Sequence, residues 1–288
     1  MMRKLISILG ISLLTAACTS ADASGSPGAT PVPHYNVATG SDQLVLRITS
    51  GGGLVPMNAL LTQTPWFALY GDGRIVVRGP ATESYPGPLL PNLRQIQVTP
   101  AEIQKILAAA DQAGLLGPDA SFNATDIFDA SSTSFTTIVD GKTHSIGAYA
   151  LGYEGATMDA AMIEARKRLS GFEDKAGDMP TFLGREVSDA GAYDATSMRL
   201  FTSPFDSSDP ASLTHQVVAW PLRVDPGTAG EATKLPQTRC LVVTGSDLEA
   251  FLTVARTANT LTIWTYGADR YSVFVRPLYP DETGCPAS

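Results

Sequence analysis

Residues 65–80 read Pro-Trp-Phe-Ala-Leu-Tyr-Gly-Asp-Gly-Arg-Ile-Val-Val-Arg-Gly-Pro. Two short runs rich in aromatic and β-branched residues flank Gly71-Asp72-Gly73, and such residues suit a pleated, half-buried surface. Strand side chains alternate, so Phe67 and Leu69 share one face of the first run, and Ile75 and Val77 share one face of the second. Asp-Gly following another glycine supplies the positive φ angles of a tight turn. Gly79-Pro80 then stops the second run, because proline has no N–H to give a ladder. The stretch is a β-hairpin. Asp72 between two glycines would also suit half of a calcium loop, but the string of carboxylates that such a loop needs is missing.

The same pattern returns downstream. Residues 133–139 and 143–149 flank Asp140-Gly141, and residues 261–266 and 270–275 flank Gly267-Ala268-Asp269. Single strands are expected at 43–49, 198–201, 213–222 and 239–243. The first of these is stopped by Gly51-Gly52-Gly53, a run without the Lys-Ser/Thr of a phosphate-binding loop. Thr99-Pro100-Ala101-Glu102 is a capping box with proline at the first helical position. Ile103, Ile106, Leu107 and Ala110 follow at helical spacing, and Gly114 and Gly117 end the helix. A second helix is expected over 156–169, closed by Gly171 and Gly177-Asp178, with a connector over 178–194. Residues 98–107 and 243–252 match in kind and order: a strand end, a cap, an acid near the start and an apolar face, each followed by a hairpin. Chance likeness of two capped amphipathic helices competes with this reading. The fold class expected is α+β: two related halves, 43–190 and 191–288, each an antiparallel sheet of hairpins with a helix packed on one face. One continuous domain is the alternative.

The N-terminus carries a separate signal. Arg3 and Lys4 precede an apolar run, Leu5 to Leu14, too short to span a bilayer as a mature helix, and small residues follow. This is a secretory leader, residues 1–17. Leu14-Thr15-Ala16-Ala17-Cys18 resembles a bacterial lipobox, which makes Cys18 the lipidation site; Thr15 departs from the usual branched aliphatic residue there. The rival is ordinary cleavage after Ala21-Asp22-Ala23. Residues 18–42 are rich in Ser, Ala, Gly, Thr and Pro, a composition that suits a tether. With Cys18 assigned to lipid, Cys240 and Cys285 remain, and an exported chain pairs them as a disulfide. The whole chain carries a net charge of −8; the leader removes two of its 20 basic residues and none of its 28 acids, leaving −10. That balance argues against nucleic acid and against anionic head groups as partners.

Four segments carry a resemblance: Gly53-Leu54-Val55-Pro56, Tyr70-Gly71-Asp72-Gly73-Arg74, Tyr85-Pro86-Gly87-Pro88, and residues 276–282, Arg-Pro-Leu-Tyr-Pro-Asp-Glu. They resemble an uncharacterised actinobacterial family of secreted or lipid-anchored proteins. The resemblance implies localisation and continuity of fold, and it brings no catalytic residue with it.

Signatures of chemistry are sparse. No two of His34, His144 and His215 have metal-ligand spacing. No Gly-x-Ser-x-Gly elbow is present, and the nearest string, Ala23-Ser24-Gly25-Ser26, lies in the tether. His144 with Asp129 and a hydroxyl from Ser131, Ser132 or Thr133 would make a triad, although nothing in the spacing favours one. The acid pairs Asp126/Asp129 and Asp281/Glu282 read as solvated loop carboxylates. Tyr70, Arg74 and Tyr85 are the amphipathic residues expected to be partly exposed and to form a binding surface, whereas Trp66 and Trp264 belong to the core. The expectation is a lipid-anchored module on the outer face of the cell membrane that binds an envelope protein or peptide without cofactor. The alternatives are an envelope hydrolase with a non-local site and an inhibitor-like double domain.

Overall fold

Turn chemistry closes the first half much as the sequence implies. A computed structural model describes residues 33–286 apart from 82, 157, 186, 188 and 207–213; the leader and Cys18 lie outside the described residues. In chain order come β1 (Leu44–Gly51), α1 (Met57–Thr62), β2 (Phe67–Tyr70), β3 (Arg74–Arg78), β4 (Leu93–Gln97), α2 (Pro100–Gln112), β5 (Ala120–Ser121), β6 (Ser132–Val139), β7 (Lys142–Tyr149), α3 (Ala160–Gly177), α4 (Met179–Leu183) and β8 (Asp189–Ala192). The second half contributes β9 (Ser197–Pro204), β10 (Val217–Ala219), β11 (Glu231–Ala232), β12 (Arg239–Thr244), α5 (Gly245–Ala255), β13 (Ile263–Tyr266) and β14 (Asp269–Pro277). The described residues from His34 onward form one compact unit.

The three expected hairpins are present as β2–β3, β6–β7 and β13–β14. At the first turn the two glycines do different work. Gly73 takes φ 84°, the left-handed region. Gly71 is needed for a close approach, because a Cβ there would stand 1.8 Å from the Ala38 carbonyl oxygen. Asp140 and Gly141 both have positive φ, as a two-residue hairpin turn of mirror-image type requires. The capping box at α2 forms in full: the Thr99 hydroxyl accepts from the Glu102 N–H, and the Glu102 carboxylate accepts from the Thr99 N–H.

Sheet 1 has eight strands in the order β5-β7-β6-β1-β2-β3-β4-β8, and sheet 2 has six in the order β10-β13-β14-β9-β12-β11. The halves are α+β, as the hairpin count implied. Both sheets are antiparallel except at one outer edge, where a short strand pairs parallel to its neighbour, β5 on β7 and β10 on β13. Counting inward from that edge, the first six strands of the two sheets run in the same sequence of directions. The connections differ: the inner strand of the edge hairpin is the first to be made in sheet 1 (β6) and the second in sheet 2 (β14). The likeness of the halves is therefore one of layout, and the chain does not retrace one path twice.

Several boundaries move. The second helix starts at Ala160 behind an Asp159 cap and runs through Gly171 to Gly177, because Phe172 and Ala176 extend its apolar face into the core. The connector 178–194 holds α4 and β8. Sheet 1 ends at Ala192. The strand expected over 213–222 is reduced to Val217–Ala219 among the described residues.

One face of sheet 1 carries α2 and α3, with Phe67, Leu69 and Ile75 from the hairpin packed against Ile106, Leu107 and Phe172. One face of sheet 2 carries α5, and here Trp264 stacks on Phe251 at 5.4 Å while Trp220 meets both rings edge-on at 5.9 Å. The hairpin departs from the half-buried expectation, since all four residues of β2 are buried. Its second face, Ala68, Tyr70 and Val76, packs with Leu93 and with Tyr279 from the chain's C-terminal segment.

Candidate functional site at the junction of the halves

After Pro277 the chain leaves sheet 2 and crosses onto that second face of the hairpin. Tyr279 is buried there, and its hydroxyl donates to the Pro65 carbonyl at 2.8 Å. Asp281 accepts from the Arg47 guanidinium at 2.6 Å and from the Tyr70 hydroxyl at 2.8 Å. Glu282 takes both terminal nitrogens of Arg276 at 2.7 Å, a two-pronged ion pair, and also the Tyr279 N–H at 3.0 Å. Arg276 donates through Nε to the Gln63 carbonyl at 2.8 Å, and Arg199 donates to the carbonyls of Gly284 and Thr283. Cys285 then closes on Cys240 of β12, with sulfurs 2.01 Å apart. Residues 278–285 thus form a strap running from sheet 2 onto sheet 1 and back.

The electrostatics follow from this packing. Burial pushes the Tyr70 hydroxyl far above its usual pKa, and the Asp281 carboxylate beside it adds to the effect. Burial alone would raise Glu282, but Arg276 outweighs it and holds the carboxyl below its ordinary value. Burial pushes Tyr193, whose hydroxyl donates to the Leu278 carbonyl at 2.8 Å, up to about 12. The Arg74 guanidinium lies 5.7 Å from the centre of the Tyr70 ring and donates to the Ser41 carbonyl at 2.7 Å.

Beside the strap is a cleft of about 660 Å³, within the range of small-ligand sites. Its walls are the loop before β4, the linker 193–196 and helix α5. Leu93, Tyr193, Met198, Leu248 and Leu252 give it an apolar lining, and Asp194, Glu249 and Arg256 are its charged groups. The proline-rich loop is held beside the end of α5 by Leu89 N–H to the Ala258 carbonyl and Thr260 N–H to the Gly87 carbonyl.

The residues singled out in the sequence fare differently. Tyr70, expected to be partly exposed, is fully buried, because the strap covers the hairpin's second face. Arg74 is half-buried, and Tyr85 is exposed on the proline-rich loop. Cys240 and Cys285 are bonded as expected. Asp281 and Glu282 are bound partners rather than solvated carboxylates. His144 and Asp129 are not brought together: His144 stands opposite Thr137 with Nδ1 2.8 Å from the Gly117 carbonyl, whereas Ser132 pairs with Tyr149. Five residues of strand between those positions is about 16 Å. His215 Nδ1 lies 2.9 Å from the Leu261 carbonyl. Among the described residues no three His, Cys, Asp or Glu side chains are grouped to hold a metal. No family model matches the chain, and no curated protein or solved structure matches it. The hairpin and the strap meet at this junction through Tyr70 and Asp281, and the proline-rich loop joins the second half separately, at Ala258 and Thr260.

Sequence reasoning missed Arg47, Arg276 and Tyr279 as a set, since the contacts that tie them to sheet 1 and to one another (Arg47 with Asp281, Arg276 with the Gln63 carbonyl, Tyr279 with the Pro65 carbonyl) each span more than 200 residues of chain. The one local signal was the density of charged and aromatic residues in 276–282 just ahead of a cysteine.

Proposed function

We propose that the chain is an exported, lipid-tethered module that binds a small ligand or a peptide end in the cleft between its halves. The observation that carries this reading is the cleft itself: an apolar cavity of ligand size with three charged groups, Asp194, Glu249 and Arg256, on its walls. The strap supports it, because Pro277 and Tyr193 line the cleft and both are fixed by the segment that Asp281, Glu282 and Cys285 hold down. A pre-formed cavity spares a ligand the cost of ordering its site. The leader, Cys18 and the tether support placement at the outer face of a membrane, and the disulfide is a bond that persists in oxidising compartments.

The test is thermal unfolding of the mature chain against a panel of envelope-derived peptides, glycan fragments and fatty acids, run in parallel with Leu252→Arg. A compound that raises Tm in the parent and not in the variant supports the reading. Equal shifts in both chains, or none across the panel, overturn the assignment of the cleft. The anchor is tested separately: Cys18→Ser is expected to move the protein from the membrane fraction to the medium or to leave it uncleaved.

A further inference from the structure

Helix α1 is built inside out. Amphipathic helices turn their apolar side to the protein, yet α1 buries none of its six residues. Asn58, Ala59 and Thr62 line the cavity beneath it, while Met57 is 57% exposed and Leu60 is also exposed. Leu54 and Val55, just ahead of the helix, are exposed as well, Leu54 at 87%. A second loop adds to the same end of sheet 1. A Cβ at Gly53 would lie 2.8 Å from the Asp129 carbonyl, which places Leu54 beside the loop that bears Phe128, 83% exposed. Tyr85 shares the rim of the cavity with Pro56 and Asn58. From Ile48 to Gly71 the sequence has no charged residue, in a chain that is otherwise acidic.

We infer that this tip, Leu54 to Leu60 with Phe128 and Tyr85, inserts shallowly into the interface of a lipid bilayer. Two features favour lipid as the occupant. The apolar groups protrude from helix α1 and the segment just ahead of it, with the Phe128 and Tyr85 rings from two other loops beside them, and aliphatic groups next to aromatic rings are the pattern of interfacial anchors. The second is reach. Tyr35 and Asn36 fix the start of the described chain near α2 and the β6–β7 turn, at the far end of β1 from the tip. Eight residues of strand make that separation about 26 Å. The 15 residues from Cys18 to Pro33 span at most about 50 Å, enough for a chain anchored at Cys18 to lay its tip on the same surface. The choice of lipid over protein rests on the anchor reading of Cys18.

The experiment therefore dispenses with the anchor. The chain from residue 18 onward, carrying Cys18→Ser and produced without leader, is floated with vesicles of phosphatidylcholine, and with vesicles of phosphatidylcholine and phosphatidylglycerol, at low and high salt. The expected result is co-flotation with phosphatidylcholine that is little affected by salt, weaker co-flotation with the anionic vesicles at low salt that recovers at high salt because the chain is acidic, and a reduction of about tenfold or more in the variant Leu54→Asp/Met57→Asp/Phe128→Asp. The three side chains are exposed, so the variant should keep the parent's Tm, which is measured alongside. Absence of flotation, or flotation that the variant does not weaken, overturns the inference. So does sedimentation showing a dimer that the variant dissociates, which would assign the tip to a second copy. Failure here leaves the anchor reading intact, since that reading is tested by fractionation of Cys18→Ser in cells.

Discussion

Arg166 shows how one residue can organise a region that local pattern leaves unread. It sits on α3 among apolar neighbours and is 3% exposed. Its guanidinium donates to four carbonyls, those of Phe122, Tyr149, Ala150 and Tyr153, and so staples two loops to the helix. No carboxylate faces it among these partners, and burial pulls its pKa down. Arg166→Met keeps the volume and removes every donor: the Tyr149 and Ala150 carbonyls keep the N–H groups of Ala124 and Tyr153, whereas those of Phe122 and Tyr153 lose their guanidinium partner. The expected loss of stability is about 3 kcal/mol or more, read as a shift in the urea midpoint at constant slope. Arg166→Lys should recover only part of it, since an ammonium cannot reproduce the planar fork. The sequence does hold a clue here: Met162, Ala165 and Leu169 mark the apolar side of the helix, and a cation inside that side calls for carbonyls or an acid. Gly71 carries a comparable lesson, because its need is a contact with Ala38 rather than a dihedral, and nothing local announces it.

At the scale of elements, the hairpins and capped helices were readable because their determinants are adjacent in sequence: Asp140-Gly141 for a turn, Thr99 and Glu102 for a cap. The strap was not, because its energy lies in pairs such as Tyr70 with Asp281, 211 residues apart. A lone glycine also misled, as Gly171 reads as a stop and the structure buries the helix straight through it. The strap makes two quantitative claims. Cys240–Cys285 closes a loop of 45 residues, so Cys240→Ser/Cys285→Ser should cost about 4 kcal/mol by the loop-entropy model. Tyr70→Phe should cost about 1 kcal/mol and Asp281→Ala more, since the latter leaves Arg47 without its anion. Because Arg47, Tyr70 and Asp281 share one network, the Tyr70→Phe/Asp281→Ala pair should lose less than the sum, with a coupling of about 0.5–3 kcal/mol in a double-mutant cycle. Strict additivity would show that the strap merely lies over the hairpin.

Over the whole molecule, the decisive question is whether two sheets in one unit unfold together, and both acid response and dissection answer it. Glu282 and Glu102 have folded-state pKa values below their ordinary ones. For Glu282 the Arg276 pair outweighs burial; for Glu102 the Arg185 bond leads and, with the Thr99 N–H, holds it at about 2. A depressed carboxyl gives stability that is fully present above its unfolded pKa and is lost as pH falls through the folded value. Glu173, raised chiefly by burial, acts in the opposite sense and offsets part of this. Stability should hold at neutral pH and decline below about pH 4.5. Glu282→Gln should be less stable than the parent at pH 7, with the gap closing as the pH drops below Glu282's folded pKa. A gap independent of pH would sink the Arg276–Glu282 account. Cutting the chain after residue 196 exposes the face of the hairpin that Tyr279 covers, Ala68, Tyr70 and Val76, and removes the anion facing Arg47. The isolated first half should bind a hydrophobic dye and lose its sharp thermal transition, whereas the full chain melts in one step with its disulfide intact. A first half that melts as sharply and as high as the full chain would show that the junction contributes nothing to its fold. The hairpin of residues 65–80 would then be a local unit after all, instead of the element on which both halves close.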